Sequence, residues 1–489
     1  MSKPRQSVRL PLLRIFVPVA LLGSGLSAQT VYDVSDASSD NISVAERWIR
    51  LSGTSSTTPT TGDSITIIGT NGITSDAQIA VNGNRTIANL TYGTQSDESD
   101  IARTIIFRGS GNDNTRAFGL TGDLTKYDSG TLSFRNNNTS MLQVTIDGNV
   151  SLHGGVLHFG TNTHDGLSAL HIGGTTTITG GTLNLRLGSD ASLGALVMDG
   201  GTLNLNTNSA VNAESGRTIS VRSLNGGGGT IGEDASTTGS GITLTLAVTG
   251  NEGGTHTYAG TITDGTGQDA VAFKMAGNGT QILSGANTYT GGTIVESGAL
   301  FVRNTVGSGV GTGSVVVKSG AVFGGDGIVA LGGSNSVTVE SGGIVAADGG
   351  PLRIDGAGTT GPLLVMEEGA RFSFDFSGGD DAMIDFWNYA GPSDLVFNDT
   401  VLDFSGLTTE GVYTLFRFYS DSGTTLIGSS IVGGLVLGSG LEQFETAFLT
   451  YGPNGITLTV GSAPIPEPAA LGLLLGAAGL VAVGGRRRR

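Results

Sequence analysis

One short phrase recurs along this chain, and few folds can absorb it. A Gly, preceded by Gly or a small polar residue, opens a strand in which apolar and polar residues alternate. It reads Ser129-Gly130-Thr131-Leu132-Ser133-Phe134, Gly154-Gly155-Val156-Leu157-His158-Phe159, Gly180-Gly181-Thr182-Leu183-Asn184-Leu185 and Gly200-Gly201-Thr202-Leu203-Asn204-Leu205. Later copies occupy residues 297–302, 319–323 and 341–346, with a looser one at 368–374. The first apolar residue of each serves as an anchor: Leu132, Leu157, Leu183 and Leu203, then Leu300, Val322, Ile344 and Phe372. Successive anchors lie 25, 26 and 20 residues apart, then 22, 22 and 28. That spacing is the length of one coil of a parallel β-helix.

Strand alternation sends an anchor and the residue two further on to the same face. One face collects Leu132/Phe134, Leu157/Phe159, Leu183/Leu185, Leu203/Leu205 and Leu300/Val302; the other collects Ser133, His158, Asn184 and Asn204. A single coil cannot bury its own apolar ladder. Stacking coils about 4.8 Å apart pairs each strand with its neighbours and makes a continuous core. Phe301 and Phe323 break the polar-outside rule and read as a covered or binding face. From about residue 120 to 376, at roughly 24 residues per coil, about ten or eleven coils form a rod of roughly 50 Å.

Composition agrees. The 489 residues include 83 Gly, which supply positive φ at corners between strands. No every-third-Gly register is present, so collagen is excluded. With 38% apolar residues in short runs, simple disorder is excluded too. Cysteine is absent, which removes disulfide staples, thiolate catalysis and cysteine metal sites. The net charge is −16. Setting aside Lys3, Arg5, Arg9, Arg14 and the four terminal arginines leaves 17 basic residues against 41 acidic ones, about −24. Such a body repels nucleic acid and anionic lipid.

Both ends read as addresses. Residues 1–28 have the layout of a signal peptide: a basic start through Arg14, an apolar run over 15–26, then Ser27-Ala28. Export through the Sec translocon follows. Residues 462–489 hold Pro466-Glu467-Pro468, an uncharged apolar stretch over 469–485, and Arg486, Arg487, Arg488 and Arg489. As a helix the stretch spans roughly 25 Å, the low end for a bilayer. The arginines would stop translocation and stay cytoplasmic.

This tripartite tail resembles the PEP-CTERM sorting signal. The resemblance implies a Gram-negative host that makes exopolysaccharide, processing by an exosortase-like enzyme, and a single transmembrane helix holding the chain in the inner membrane beforehand. Residues 277–300 (GNGTQILSGANTYTGGTIVESGAL) carry a second resemblance, to the autotransporter-associated β-strand repeat of passenger-type proteins. It implies a right-handed parallel β-helix. The tail lacks the alternating ten-residue strands of a translocator barrel, so self-export is not expected.

The expected fold is all-β: a right-handed parallel β-helix (solenoid) with a C-terminal β cap. The signal peptide (1–28) is followed by an N-terminal β region over 29–119 (cap or first coils), solenoid repeats over 120–376, a cap over 377–461 and the sorting tail over 462–489. The cap region is rich in aromatics, Trp387, Tyr413, Phe416 and Tyr419 among them.

Candidate chemistry is sparse. His153, His158, His164 and His171 cluster in sequence, but their spacing matches no metal signature. Asp380, Asp381 and Asp385, then Glu367 and Glu368, invite comparison with β-helix polysaccharide enzymes, yet Gly-rich turns usually hold such acids as caps. Gly324-Gly325-Asp326-Gly327 resembles one fragment of a calcium-binding repeat, where successive copies are needed. The polyglycine 226–229 lacks the Lys-Ser/Thr of a phosphate loop. No catalytic residue, metal or cofactor is therefore expected. The expectation is a structural or adhesive protein of the cell surface or extracellular matrix, with exopolysaccharide, other surface proteins or its own copies as partners. A polysaccharide lyase or hydrolase, or a glycan-binding module using Phe301 and Phe323, stays open.

Overall fold

In the computed structural model, three walls of parallel strands form as the chain winds, each wall gaining one strand per turn. Residues 64–462 are described, apart from 68–76, 83, 94–103, 111–115, 136–141, 161–168, 206–215, 235–241, 251–252, 267–268, 358–359, 380–381, 389–394, 420–431 and 453–454; the backbone of 32–34, 40–41, 48–50 and 480–481 is described as well. The first wall is nine-stranded and runs from Asp40–Asn41 through Thr131–Arg135 and Thr182–Arg186 to Thr261–Ile262. The second runs from Arg85–Ile87 through Leu142–Ile146 and Thr243–Val248 to Leu395–Ser405. The third begins as seven strands, Ile65–Ile67 to Ser223–Asn225. One bridge, Gly226 to Tyr258, links it to its continuation in Thr255–Tyr258, Thr280–Leu283 and Ala299–Val302.

The first anchors stack as their alternation requires. Leu132 lies opposite Leu157, Leu157 opposite Leu183, and Leu183 opposite Leu203, all in parallel register and fully buried. The column continues to Ile105 on one side and Ile231 on the other. Two residues further on, the rings of Phe107, Phe134 and Phe159 stack at 5.2 and 5.3 Å. Strands Ala77–Asn82 and Thr104–Ser110 belong to this same wall, so the ladder extends well before residue 120.

The later anchors differ in two ways. They sit on the third wall, not the first. Leu300 pairs with Phe323, Phe323 with Val345 and Val345 with Phe372, whereas Val322 and Ile344 face outward. Phe323, expected on the outside, is fully buried. The cause is a single extra residue. Strand pairing begins one residue after Gly298 but two after Gly320 and Gly342, where Ala321 and Gly343 close tight turns onto Lys318 and Glu340. A slip of one residue exchanges the faces of a strand.

Corners between the second and third walls are tied by side chains. Asn89 Oδ1 accepts the Asp123 N–H at 2.7 Å, Asp123 Oδ1 accepts from Asn149 at 2.7 Å, and Asn149 Oδ1 accepts from Thr175 at 2.8 Å. Each coil thus satisfies a turn donor of the next, as buried or half-buried backbone groups require.

Among the described residues, the first wall has no regular strand between Thr261–Ile262 and Ile328–Ala330, and Asn side chains bridge the gap. Asn287 Oδ1 accepts the Ile262 N–H at 2.7 Å, and its Nδ2 donates to the Gly309 carbonyl at 2.6 Å. Asn304 Oδ1 accepts the Ile328 N–H at 3.0 Å. Tyr289 is fully buried beside this splice and bonds the buried Thr293 hydroxyl at 2.7 Å.

The coils persist through Ile384–Trp387 and Leu395–Ser405, within the region expected as a cap. At this end of the stack, antiparallel strand pairing begins with Gly411–Tyr419, Thr446–Gly452 and Gly455–Gly461. These strands turn the sheet back on itself over a cluster holding Phe372, Phe374, Phe397 and Phe416. The signal peptide and the tail residues Pro466, Glu467, Pro468, Arg486, Arg487, Arg488 and Arg489 lie outside the described residues. Of the expected transmembrane helix, only Leu480–Val481 are described, and they are extended, pairing with Leu449 and Thr450. The edge of Thr446–Gly452 offers backbone groups that an apolar dipeptide satisfies as strand. Among the described residues, no helix is long and apolar enough to cross a membrane.

Candidate functional site

The outward face near the C-terminal end is unlike the rest of the rod. Leu352–Asp355, Ile384–Trp387 and Gly411–Tyr419 pair in parallel, with Leu352/Ile354, Ile384/Phe386 and Phe416/Phe418 buried inward. Alternation therefore lines up two outer columns: Arg353, Asp385 and Arg417, and beside them Asp355, Trp387 and Tyr419. Arg417 grips Asp385 with two parallel bonds, Nε and Nη2 at 2.7 and 2.6 Å. This fork geometry is the strong form of the ion pair. The Arg353 guanidinium lies 4.0 Å from the Trp387 ring centroid and also bonds Asp355. Trp387 and Tyr419 stack at 4.4 Å with an interplanar angle of 22°. Asp355 Oδ1 takes further bonds from Asn388 Nδ2 at 2.8 Å and the Ala357 N–H at 3.0 Å.

Beside Tyr419 a groove of about 310 Å³ opens over the antiparallel strands. Thr414, Thr457 and Thr450 form a row across three strands, since Thr457 pairs with both others. Arg417, Gly455 and Gly452 form the next row. Gly455 has φ +152° and a Cβ there would meet the Phe416 carbonyl at 2.0 Å, so the backbone bulge itself demands glycine.

The other sequence candidates are scattered. His153 follows a third-wall strand, stacked on Tyr127 at 4.8 Å and bonded to the Thr179 hydroxyl at 2.9 Å. His158 stands on the first wall between Ser133 and Asn184, and His171 on the second. His164, Asp380 and Asp381 lie outside the described residues. Burial, then the nearby Arg186 and Arg135 charges, push His158 down to about 4, with Asp234 opposing. Among the described residues, no three His, Cys, Asp or Glu side chains gather to hold a metal.

Asp385 is buried within a strand and held by Arg417, so the acid read as a turn cap is half of an ion pair. Strand register brings Arg417 across to Asp385 from 32 residues away. Glu367 and Glu368 line a shallow recess with Asn398, Asp399 and Gly434. Asp326 shares Arg303 with Asp348, at 3.4 and 3.2 Å. Gly226 and Gly227 are turn residues bonded to Thr257 and Asp199. Phe301 stands outward, half-buried, between Ile282 and Gly324.

Residues 274–301 match the passenger-associated transport repeat. The chain carries a passenger-type β-repeat. Over 159 residues, 32% of its length, it is 37% identical to the adhesin BmaC autotransporter of Brucella suis biovar 1 (strain 1330). That stretch covers 4% of the Brucella protein, so the chain spans a small fraction of this relative.

Proposed function

We propose that this chain is an exported, surface-displayed solenoid whose outer faces serve adhesion, without catalysis. One observation carries the reading: a stack of parallel coils that holds a passenger-type repeat at residues 274–301 belongs to a chain that is 37% identical over 159 residues to an autotransporter adhesin. A stack of this kind suits display. Its core is local to neighbouring coils, so length and outer side chains vary without loss of the fold. We take the winding as right-handed, the hand of nearly all parallel crossovers. No catalytic residue, metal or cofactor is assigned. Asp385 is neutralised by Arg417, and the histidines occupy three different walls.

The tail supports a sorting route. Sec export would be followed by inner-membrane retention through residues 469–485, then processing near Pro466-Glu467-Pro468 by an exosortase-like enzyme, and release to the surface or matrix of a Gram-negative cell. Exopolysaccharide and other surface proteins are the partners this route implies. The test is fractionation and protease shaving of cells making the full chain or a truncation lacking residues 464–489. The full chain should reach the surface and the truncation should be lost to the medium or retained in the periplasm. An identical final location for both would overturn the sorting route, and a cytoplasmic full chain would overturn export.

A further inference from the structure

We infer that the groove beside Tyr419 is a saccharide seat that takes one neutral pyranose ring of a glycan chain. The inference deepens the adhesion reading, on which its biological setting rests. Its chemistry stands on the groove alone.

Trp387 is not part of the groove lining, while Tyr419 is. The phenol ring lines the groove while stacked on Trp387 at 4.4 Å, with the Arg417 guanidinium 5.6 Å from its centroid. Trp387 is itself backed by Arg353 at 4.0 Å, so the Tyr419 ring is held before any ligand arrives. A pyranose has an apolar C–H face that stacks on an aromatic ring, whose π-cloud is electron-rich. A pre-positioned ring loses little side-chain freedom on binding.

Around the ring the groove offers what a polyol needs. The Thr414, Thr457 and Thr450 hydroxyls each donate one and accept two hydrogen bonds, and they run in a line across the sheet. Among the described lining residues, Gly452 and Gly455 bring no side chain to the groove. Arg417 adds fixed donors, its orientation set by the fork to Asp385. A volume near 310 Å³ is at the small end of ligand clefts and suits one ring with its substituents, the remainder of the chain lying along the surface.

Charge decides between sugar classes. Arg353 and Arg417 are matched by Asp355 and Asp385, leaving the site near neutrality, and the whole chain is at −16. A uronate or sulfated chain approaches against that field, whereas a neutral glycan does not.

The experiment uses the optical reporter built into the site. The chain has two tryptophans, Trp48 and Trp387, so Trp48→Phe leaves Trp387 as the sole emitter. The purified full chain carrying W48F is titrated to millimolar concentration with cello-, malto-, manno- and chitohexaose, and with hexagalacturonate. At least one neutral hexasaccharide should change Trp387 emission saturably and bind more tightly than hexagalacturonate. Tyr419→Ala should weaken that binding at least tenfold, and Tyr419→Phe should retain it. Thr450→Val, at an exposed position, should weaken it severalfold with an unchanged unfolding midpoint. Phe301→Ala should change nothing. No binding of any neutral hexasaccharide, tighter binding of hexagalacturonate, or full affinity in folded Thr450→Val and Tyr419→Ala together would overturn the assignment. Because the protein is purified, a failure here leaves export and sorting untouched, and a failure of sorting leaves this result standing.

Discussion

Asn287 joins two coils with its side chain, accepting from the Ile262 N–H at 2.7 Å and donating to the Gly309 carbonyl at 2.6 Å, while its backbone N–H donates to the Ser308 carbonyl at 2.7 Å. Both partners of the side chain are backbone groups at the point where the first wall lacks a strand. Asn287→Ala would strand a donor and an acceptor in a site only 2% exposed, at about 1–3 kcal/mol each. The expected loss is about 2–4 kcal/mol in urea unfolding of the full chain. Asn287→Asp should be no better, because a carboxylate cannot donate to Gly309 and its charge would be buried. A midpoint within error of wild type for both variants would refute the splice.

Removing a ring from the inner stack should cost more than removing one from the outer face. Phe134 is fully buried between Phe107 and Phe159 at 5.2 and 5.3 Å. Phe134→Ala should cost about 3–5 kcal/mol through lost transfer energy and a cavity. Phe301→Ala, on the outward side of its strand, should stay within about 1 kcal/mol. Thermal unfolding monitored by circular dichroism separates the two. Equal losses would contradict the assignment of faces.

Two glycines separate steric contact from backbone strain. Gly160 has φ +101°, and a Cβ there would meet the Arg186 carbonyl oxygen at 1.8 Å. Gly253 has φ +73° with nothing within 4 Å. Gly253→Ala should cost about 1–2 kcal/mol, the strain of a left-handed residue. Gly160→Ala should cost clearly more, since the neighbouring coil must move as well. Comparable unfolding midpoints would argue against close coil contact at Gly160.

His158 gives the rod a weak point in acid. Its value near 4 lies below the usual 6.5 because burial and the Arg186 and Arg135 charges disfavour the imidazolium. Between those two values the unfolded chain binds a proton that the folded chain does not. Stability is therefore complete above about pH 6.5 and declines as pH falls toward 4. His158→Gln should flatten that part of the stability profile, measured by urea unfolding between pH 4 and 7. An unchanged slope in the variant would refute the assignment.

How much of this was legible in the sequence depended on turn length. From Leu132 to Leu203 the Gly-Gly phrase meets its strand at the same offset every time, so alternation located the inward column. At Gly320 and Gly342 the turn takes one more residue, and the same phrase misplaced Val322, Phe323 and Ile344. The Trp387–Tyr419 stack was out of reach for a related reason. Both residues were visible as cap aromatics, but their adjacency depends on a register set by the intervening turns. Arg417 and Asp385 gave no local signal, being 32 residues apart. The Asn287 segment was recognisable as a motif, while its role as a splice required seeing that the first wall stops at Ile262.

The third wall crosses one level by the single bridge from Gly226 to Tyr258, where the first wall is joined by two residue pairs and the second by six. Tension along the axis is borne at that level by two sides of the rod, not three. A molecule stretched between a cell and whatever it holds would yield first between this level and the Asn287 splice just beyond it, where the first wall in turn lacks a strand, parting into two halves that lengthen one after the other. The surface would then keep its grip through a graded give, with no sudden release.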